Sequence, residues 1–161
     1  TRIVVAIDPA ITSEKTSDET GIVVVAKDAI GNGYVLADLS GKYTPNEWGT
    51  VATNAAKTYG ADCIVAEVNQ GGDMVQNVIR QIDKTIRYKA VRATKGKFVR
   101  AEPIFNFYEQ NKVFHVGNHP ILELQMVSFN PDQTASPDRV DALVWGFTEL
   151  LVKASREWFV V

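Results

Sequence analysis

Two short apolar runs near the head of the chain, Ile3 to Ile7 and Ile22 to Ala26, constrain the fold most. Both are rich in β-branched residues, and at this length such runs read as buried strands, here Arg2 to Asp8 and Gly21 to Lys27. Between them Pro9 to Thr20 is polar and reads as a loop. Gly31-Asn32-Gly33 is a turn signal, because these residues tolerate positive φ. Tyr34 to Leu39 follows as a third strand. Three strands on short polar connections predict an antiparallel meander.

The period then changes from two to that of a helix. Pro45 to Tyr59 reads as a helix with Thr44 as N-cap, Pro45 in the first turn and Gly60 as terminator. Asp62 to Val68 is a strand, and Asp73 to Arg87 a helix with Met74, Val75, Val78, Ile79 and Ile82 on one face. Tyr88 to Ala93 is the next strand. Lys97 to Gln110 reads as a helix whose start Pro103 would delay. Val113 to Val116 is a short strand and Pro120 to Val127 a short helix. Ser136 to Lys153 is the last long helix, with Ser136 as N-cap and Pro137 in its first turn. A meander followed by alternating helices and strands predicts an α/β domain with a mixed sheet flanked by helices.

At 161 residues the chain fits one domain, since domains cluster at about 100–150 residues. One cysteine, Cys63, excludes a disulfide scaffold, and two histidines leave little for a histidine metal centre. The longest apolar runs fall far short of the roughly 20 residues that span a bilayer, so no membrane partner is expected. A strand starting at the second residue, with no leader ahead of it, suggests a domain cut from a longer protein. No glycine-rich phosphate loop is present.

Carboxylates stand at the ends of the apolar segments. Asp8 closes the first strand, in Ile7-Asp8-Pro9-Ala10. Glu67 closes a later one and is followed by Asn69-Gln70-Gly71-Gly72, where glycines let the backbone approach a ligand. Asp138 and Asp141 lie in the first turns of the last helix. Alone, each has a plainer reading: a turn-starting acid at Asp8, a solvated strand end at Glu67, a dipole-favoured first-turn acid at Asp138. At about 100° per residue Asp138 lies opposite the stripe of Val140, Leu143, Val144, Phe147 and Leu151, which by itself indicates solvent. Ala142 and Trp145 flank it, however, which fits a covered site. Asp141 lies about 60° round from Asp138, so both can face one metal. Buried carboxylates that converge need a cation, and oxygen-only ligands suit Mg²⁺ or Mn²⁺. Two such ions about 3.5–4 Å apart would clamp the attacking and leaving oxygens of a phosphodiester.

Together these stretches resemble the C-terminal nuclease domain of tailed-phage terminase large subunits. The resemblance runs through Ile7-Asp8-Pro9-Ala10, Asp18-Glu19-Thr20-Gly21-Ile22-Val23-Val24, Glu67-Val68-Asn69-Gln70-Gly71-Gly72-Asp73-Met74-Val75, Lys95-Gly96-Lys97-Phe98-Val99-Arg100-Ala101-Glu102-Pro103 and Ser136-Pro137-Asp138-Arg139-Val140-Asp141-Ala142-Leu143. It covers nearly the whole chain. It implies an RNase H-like fold and a metal-dependent endonuclease in which Asp8, Glu67 and Asp138 are catalytic metal ligands. The products it implies are 3′-hydroxyl and 5′-phosphate ends. Many relatives carry two adjacent Asp residues where this chain has Pro137-Asp138, so the fourth ligand is either Asp141 or absent. Asp18 lies in the matching loop, although a solvated loop acid is its plainer reading. The resemblance also implies an N-terminal ATPase domain in the full-length chain, a small terminase subunit and a portal protein as partners, and the cytoplasm of the infected bacterial host as location.

The formal net charge of −2 conceals a division. From Arg80 to Lys112 there are nine basic and three acidic residues, a net of +6; the remainder carries eight and sixteen, a net of −8. A basic zone beside acidic metal ligands suits binding of the phosphate backbone of double-stranded DNA. Lys95, Lys97 and Arg100, around Gly96 in an expected loop, are the candidate phosphate contacts, whereas Arg80, Lys84 and Arg87 read as a solvated helix face. The expected function is cutting of concatemeric viral DNA during genome packaging. Its rivals are a Holliday-junction resolvase of the same fold and a non-catalytic module that docks DNA or the portal.

Overall fold

The computed structural model describes residues 1–10, 19–68, 73–132 and 137–153. Strands β1 (Arg2–Asp8), β2 (Gly21–Lys27) and β3 (Gly33–Asp38) form the antiparallel meander. Helix α1 (Pro45–Tyr59), strand β4 (Cys63–Glu67), helix α2 (Met74–Ile82) and strand β5 (Tyr88–Val91) follow. Then come α3 (Lys97–Glu109), β6 (Val113–His115), α4 (Pro120–Val127) and α5 (Asp138–Phe147), which runs on as a π-helical segment, Thr148–Val152. The six strands form one sheet in the order β5-β4-β1-β2-β3-β6. Beside the meander, β4 pairs parallel with β1, β5 with β4, and β6 with β3. This mixed sheet flanked by helices is the expected fold.

The apolar runs are continuous because the central strands are covered on both faces. Successive side chains point to opposite sides. Val5, Ile7, Ile22, Val24, Ile64 and Ala66 face α1 and α2, where they pack with Trp48, Ala52, Val75 and Ile79. Val4, Ala6, Val23, Val25, Cys63 and Val65 pack with Leu143, Val144 and Phe147 of α5, and with Ala101, Ile104 and Leu122 of α3 and α4. Helix α5 is therefore buried all round, between the sheet on one side and α3 and α4 on the other. It approaches the sheet closely. A Cβ on Gly21 would lie 2.1 Å from the Asp138 carbonyl oxygen, and one on Gly146 2.6 Å from Val25 Cγ2.

Three helices differ from expectation. Helix α2 stops at Ile82, not Arg87, because Asp83 turns to extended backbone and its Oδ1 accepts from Thr85 N and Oγ1. Such side-chain bonds offer the backbone an alternative to the helix. Pro103 does not delay α3; it sits in the second turn, where its missing N–H removes one hydrogen bond without breaking the helix. The last helix is interrupted after Phe147 by the π-helical segment, and Pro137 stands at its N-cap position. The expected cap Ser136 lies outside the described residues. No described helix is long and apolar enough to cross a membrane.

Candidate metal centre

The period of two that buries the strands also aims their terminal acids. Val4, Ala6 and Asp8 share one face of β1, and Cys63, Val65 and Glu67 the same face of β4, the face covered by α5. The two strands run parallel and are paired as far as Ile7 opposite Ala66, and Asp8 and Glu67 each follow by one residue; the Glu67 charge acts on Asp8, but Glu67 lies outside the tight acidic cluster. The N-terminal end of α5 arrives over this edge. One carboxylate oxygen each from Asp8, Asp138 and Asp141 lies within 4.8 Å of the others. Asp141, left open by the sequence, thus stands inside the cluster, and Asp138, which its wheel position alone would expose, is buried. Asp18 lies outside the described residues.

The electrostatics follow from this crowding. Burial holds the Asp8 carboxyl well above the ordinary aspartate range, and the charges of Asp141, Asp138 and Glu67 push it further up. Burial also raises Asp141, against the opposing pull of Lys97, of Arg100 and of a hydrogen bond with Asp8. Lys97 Nζ sits 3.1 Å from Asp141 Oδ2. The set is therefore oxygen-only, mutually repelling and partly withdrawn from water. Such a donor set fits a hard divalent cation, which would relieve the repulsion.

The basic residues are not loop residues throughout. Lys95 precedes α3, whereas Lys97 is its first residue and Arg100 lies in its first turn. Arg100 Nη1 donates to the Lys95 carbonyl at 2.6 Å, and its guanidinium lies 4.6 Å from the ring centroid of Trp145. Sequence reasoning missed Arg139. Its buried guanidinium donates through Nη1 to Asp38 Oδ2 at 2.7 Å and through Nη2 to Glu19 Oε2 at 2.8 Å. This fork ties the entry to β2 and the end of β3 to the first turn of α5, and so holds Asp138 over the sheet edge. The unmatched acids at the ends of the meander, Glu19 and Asp38, were the available signal.

Comparison with known proteins now bears on this geometry. The sequence profile of the terminase RNaseH-like domain matches residues 5–150. The chain belongs to that family. It is accordingly a terminase nuclease domain, a metal-dependent phosphodiester hydrolase. Among solved structures, it is similar to the large terminase nuclease from thermophilic phage G20c, at 16% identity and a TM-score of 0.65, over 92% of this chain and 82% of that one. The same phage nuclease has been solved with bound zinc, with cobalt and with magnesium. The yeast mitochondrial Holliday junction resolvase is similar at 8% identity and a TM-score of 0.62, over 97% and 80% of the two chains. Thermus thermophilus RuvC is similar at 12% identity and a TM-score of 0.60, over 96% of each. At these identities the structures share the fold. No curated protein matches the chain by sequence.

Proposed function

We propose that this domain cuts concatemeric viral DNA during genome packaging, with Asp8, Glu67, Asp138 and Asp141 holding two Mg²⁺ or Mn²⁺ ions at the scissile phosphodiester. The observation that carries this reading is the convergence of Asp8, Asp138 and Asp141 within 4.8 Å, with Glu67 at the end of the neighbouring strand. Divalent cations at such a site lower the pKa of bound water and offset the charge of the phosphoryl oxygens. The chain's own residues do the rest. Asp8 and Glu67 are fixed on neighbouring strands, so their separation changes little while DNA arrives. Asp138 and Asp141 are fixed by the Arg139 fork and by the close seating of α5 on Gly21 and Gly146. Lys97, beside Asp141, places a cation next to the reacting phosphate, and Lys95 and Arg100 continue the positive surface along the backbone. Contacts of this kind position DNA without reading sequence.

The full-length chain would add the ATPase domain, and the small subunit and portal would complete the packaging machinery in the host cytoplasm. The resolvase reading is less favoured, because the family match is to terminases. The deciding measurement is plasmid nicking by the purified domain in Mn²⁺. Wild type is expected to cut, and Asp8→Asn and Glu67→Gln to be inactive; cutting by both variants at the normal rate would overturn the site. Preference for four-way junctions over linear duplex would favour the resolvase reading.

A further inference from the structure

Beyond the acidic cluster, α3 and the end of α5 enclose a cavity of about 140 Å³. Its wall carries four cations, Arg92, Lys95, Arg100 and Lys153, the two threonines Thr94 and Thr148, and an apolar part made by Trp145, Pro103 and three valines. Among the described residues no carboxylate lines it. Two of the lining residues each carry a polar atom that is shielded from solvent and lacks a hydrogen-bond partner, Arg100 Nε and Thr148 Oγ1. Buried donors without partners are costly and call for an explanation. The other bonds of Arg100 hold that donor in place, since Nη1 is held by the Lys95 carbonyl and the guanidinium stacks on Trp145.

The π-helical segment contributes to the same wall. The Lys153 backbone N–H donates to the Thr148 carbonyl across five residues, which sets Thr148 and Lys153 on one face. Lys153 is tethered through Nζ to Glu149 Oε2 at 3.0 Å. Arg92 and Lys95 have no ion pair among the described residues. A cavity with fixed donors, free cations and no acid on its wall is complementary to an anion.

Its position says which anion. Trp145 and Thr148 follow Asp141 on one helix by four and seven residues, or about 6 to 10 Å along the axis at about 1.5 Å per residue. That span keeps the cavity within reach of a backbone phosphate that flanks the scissile one. We infer that this cavity is a seat for a DNA backbone phosphate flanking the scissile one, with Thr148 and Arg100 as the inner donors. The inference rests on the nuclease reading above and names the part of the substrate that sets its register.

The test is binding of a short DNA duplex in EDTA, where no cutting occurs, across a series of salt concentrations. Thr148→Val replaces an unpartnered hydroxyl by a methyl group. It is expected to keep or raise the melting temperature yet weaken DNA binding about tenfold, the scale of a hydrogen bond to a charged group. Thr148→Ala serves as a second variant with the same expected loss. Arg92→Gln combined with Lys95→Gln is expected to lower the salt slope by about two. Mn²⁺ binding, followed by calorimetry, should be unchanged in all three. Wild-type affinity in both Thr148 variants would overturn the seat, even if the double variant loses slope, because binding would then lie on the open basic surface. An unchanged slope in the double variant would overturn it too. Failure of the wild type to nick plasmid in Mn²⁺ would instead count against the nuclease reading, since the EDTA measurement does not depend on it.

Discussion

On the side of the sheet covered by α1 and α2, the described core is uncharged and, Thr53 apart, apolar: Trp48, Ala52, Val75 and Ile79 against Val5, Ile7, Val24 and Ile64. On the other side, every described charged residue that is buried as a whole, Asp138, Arg139, Asp141 and Glu149, lies on α5 or its π-helical continuation. The same strands serve both faces. One side therefore supplies cohesion without chemistry, and the other places chemistry on a helix held by packing at its centre and by ion pairs at its ends. Glu149 illustrates the second arrangement. Burial pushes its carboxyl up, but hydrogen bonds from Lys89 and Lys153 outweigh that and leave it below the usual range.

If the faces divide the work in this way, variants should separate stability from activity. Trp48→Ala on the apolar face should cost about 3–5 kcal/mol of stability, as large core truncations do, and leave Mn²⁺ affinity intact where the domain stays folded. Denaturant unfolding and calorimetry check this pair. Trp48→Phe should cost much less, because the indole N–H is buried without a partner. On the charged face Asp8→Asn should lower plasmid nicking by at least about 100-fold, more than loss of an outer partner of a metal site costs. Its melting temperature without metal should not fall. A fall of several degrees would show that Asp8 stabilises the fold, and the comparison would break.

The pH dependence sharpens the same contrast. The folded-state pKa of Asp8 is raised, so its contribution to stability is fully present below the unfolded value and is lost as pH rises through the folded one. Metal-free wild type should therefore lose stability relative to Asp8→Asn as pH climbs above about 4. Added Mn²⁺ should raise the wild-type melting temperature more at neutral than at acid pH. The smallest effect is expected at the cap of α1, where Thr44 Oγ1 accepts from Glu47 N. Thr44→Ala should cost about 1 kcal/mol with nicking unchanged.

The meander, α1 with both its caps and α4 were legible because local chemistry decides them: β-branched runs, Gly31 at positive φ, Thr44, Pro45, Gly60 and Pro120. The end of α2 was not legible from periodicity, since Ile82 completes the apolar face just before Asp83 takes Thr85 as its partner. Those bonds, with one to Lys57, lower the Asp83 carboxyl to about 2. The acids of the site could be nominated from strand ends and helix starts. Their convergence depended on which strand neighbours which, as in the parallel pairing of β1 with β4. Arg139 was hidden for the same reason: its partners, Asp38 and Glu19, lie 101 and 120 residues away.

The placement of Asp8 and Glu67 at the ends of neighbouring strands also restricts how the chain can be edited. Inserting one residue into β1 or β4 ahead of its acid would send that carboxylate to the α1 side, among Trp48 and Ala52. Inserting two would return it to the correct side but move it about 6.6 Å along the strand. Length changes in these strands are thus subject to an odd–even rule that the loops beyond them escape. A library of one- and two-residue insertions between Val4 and Asp8, scored for nicking, should lose most activity throughout, with any remainder confined to the two-residue members.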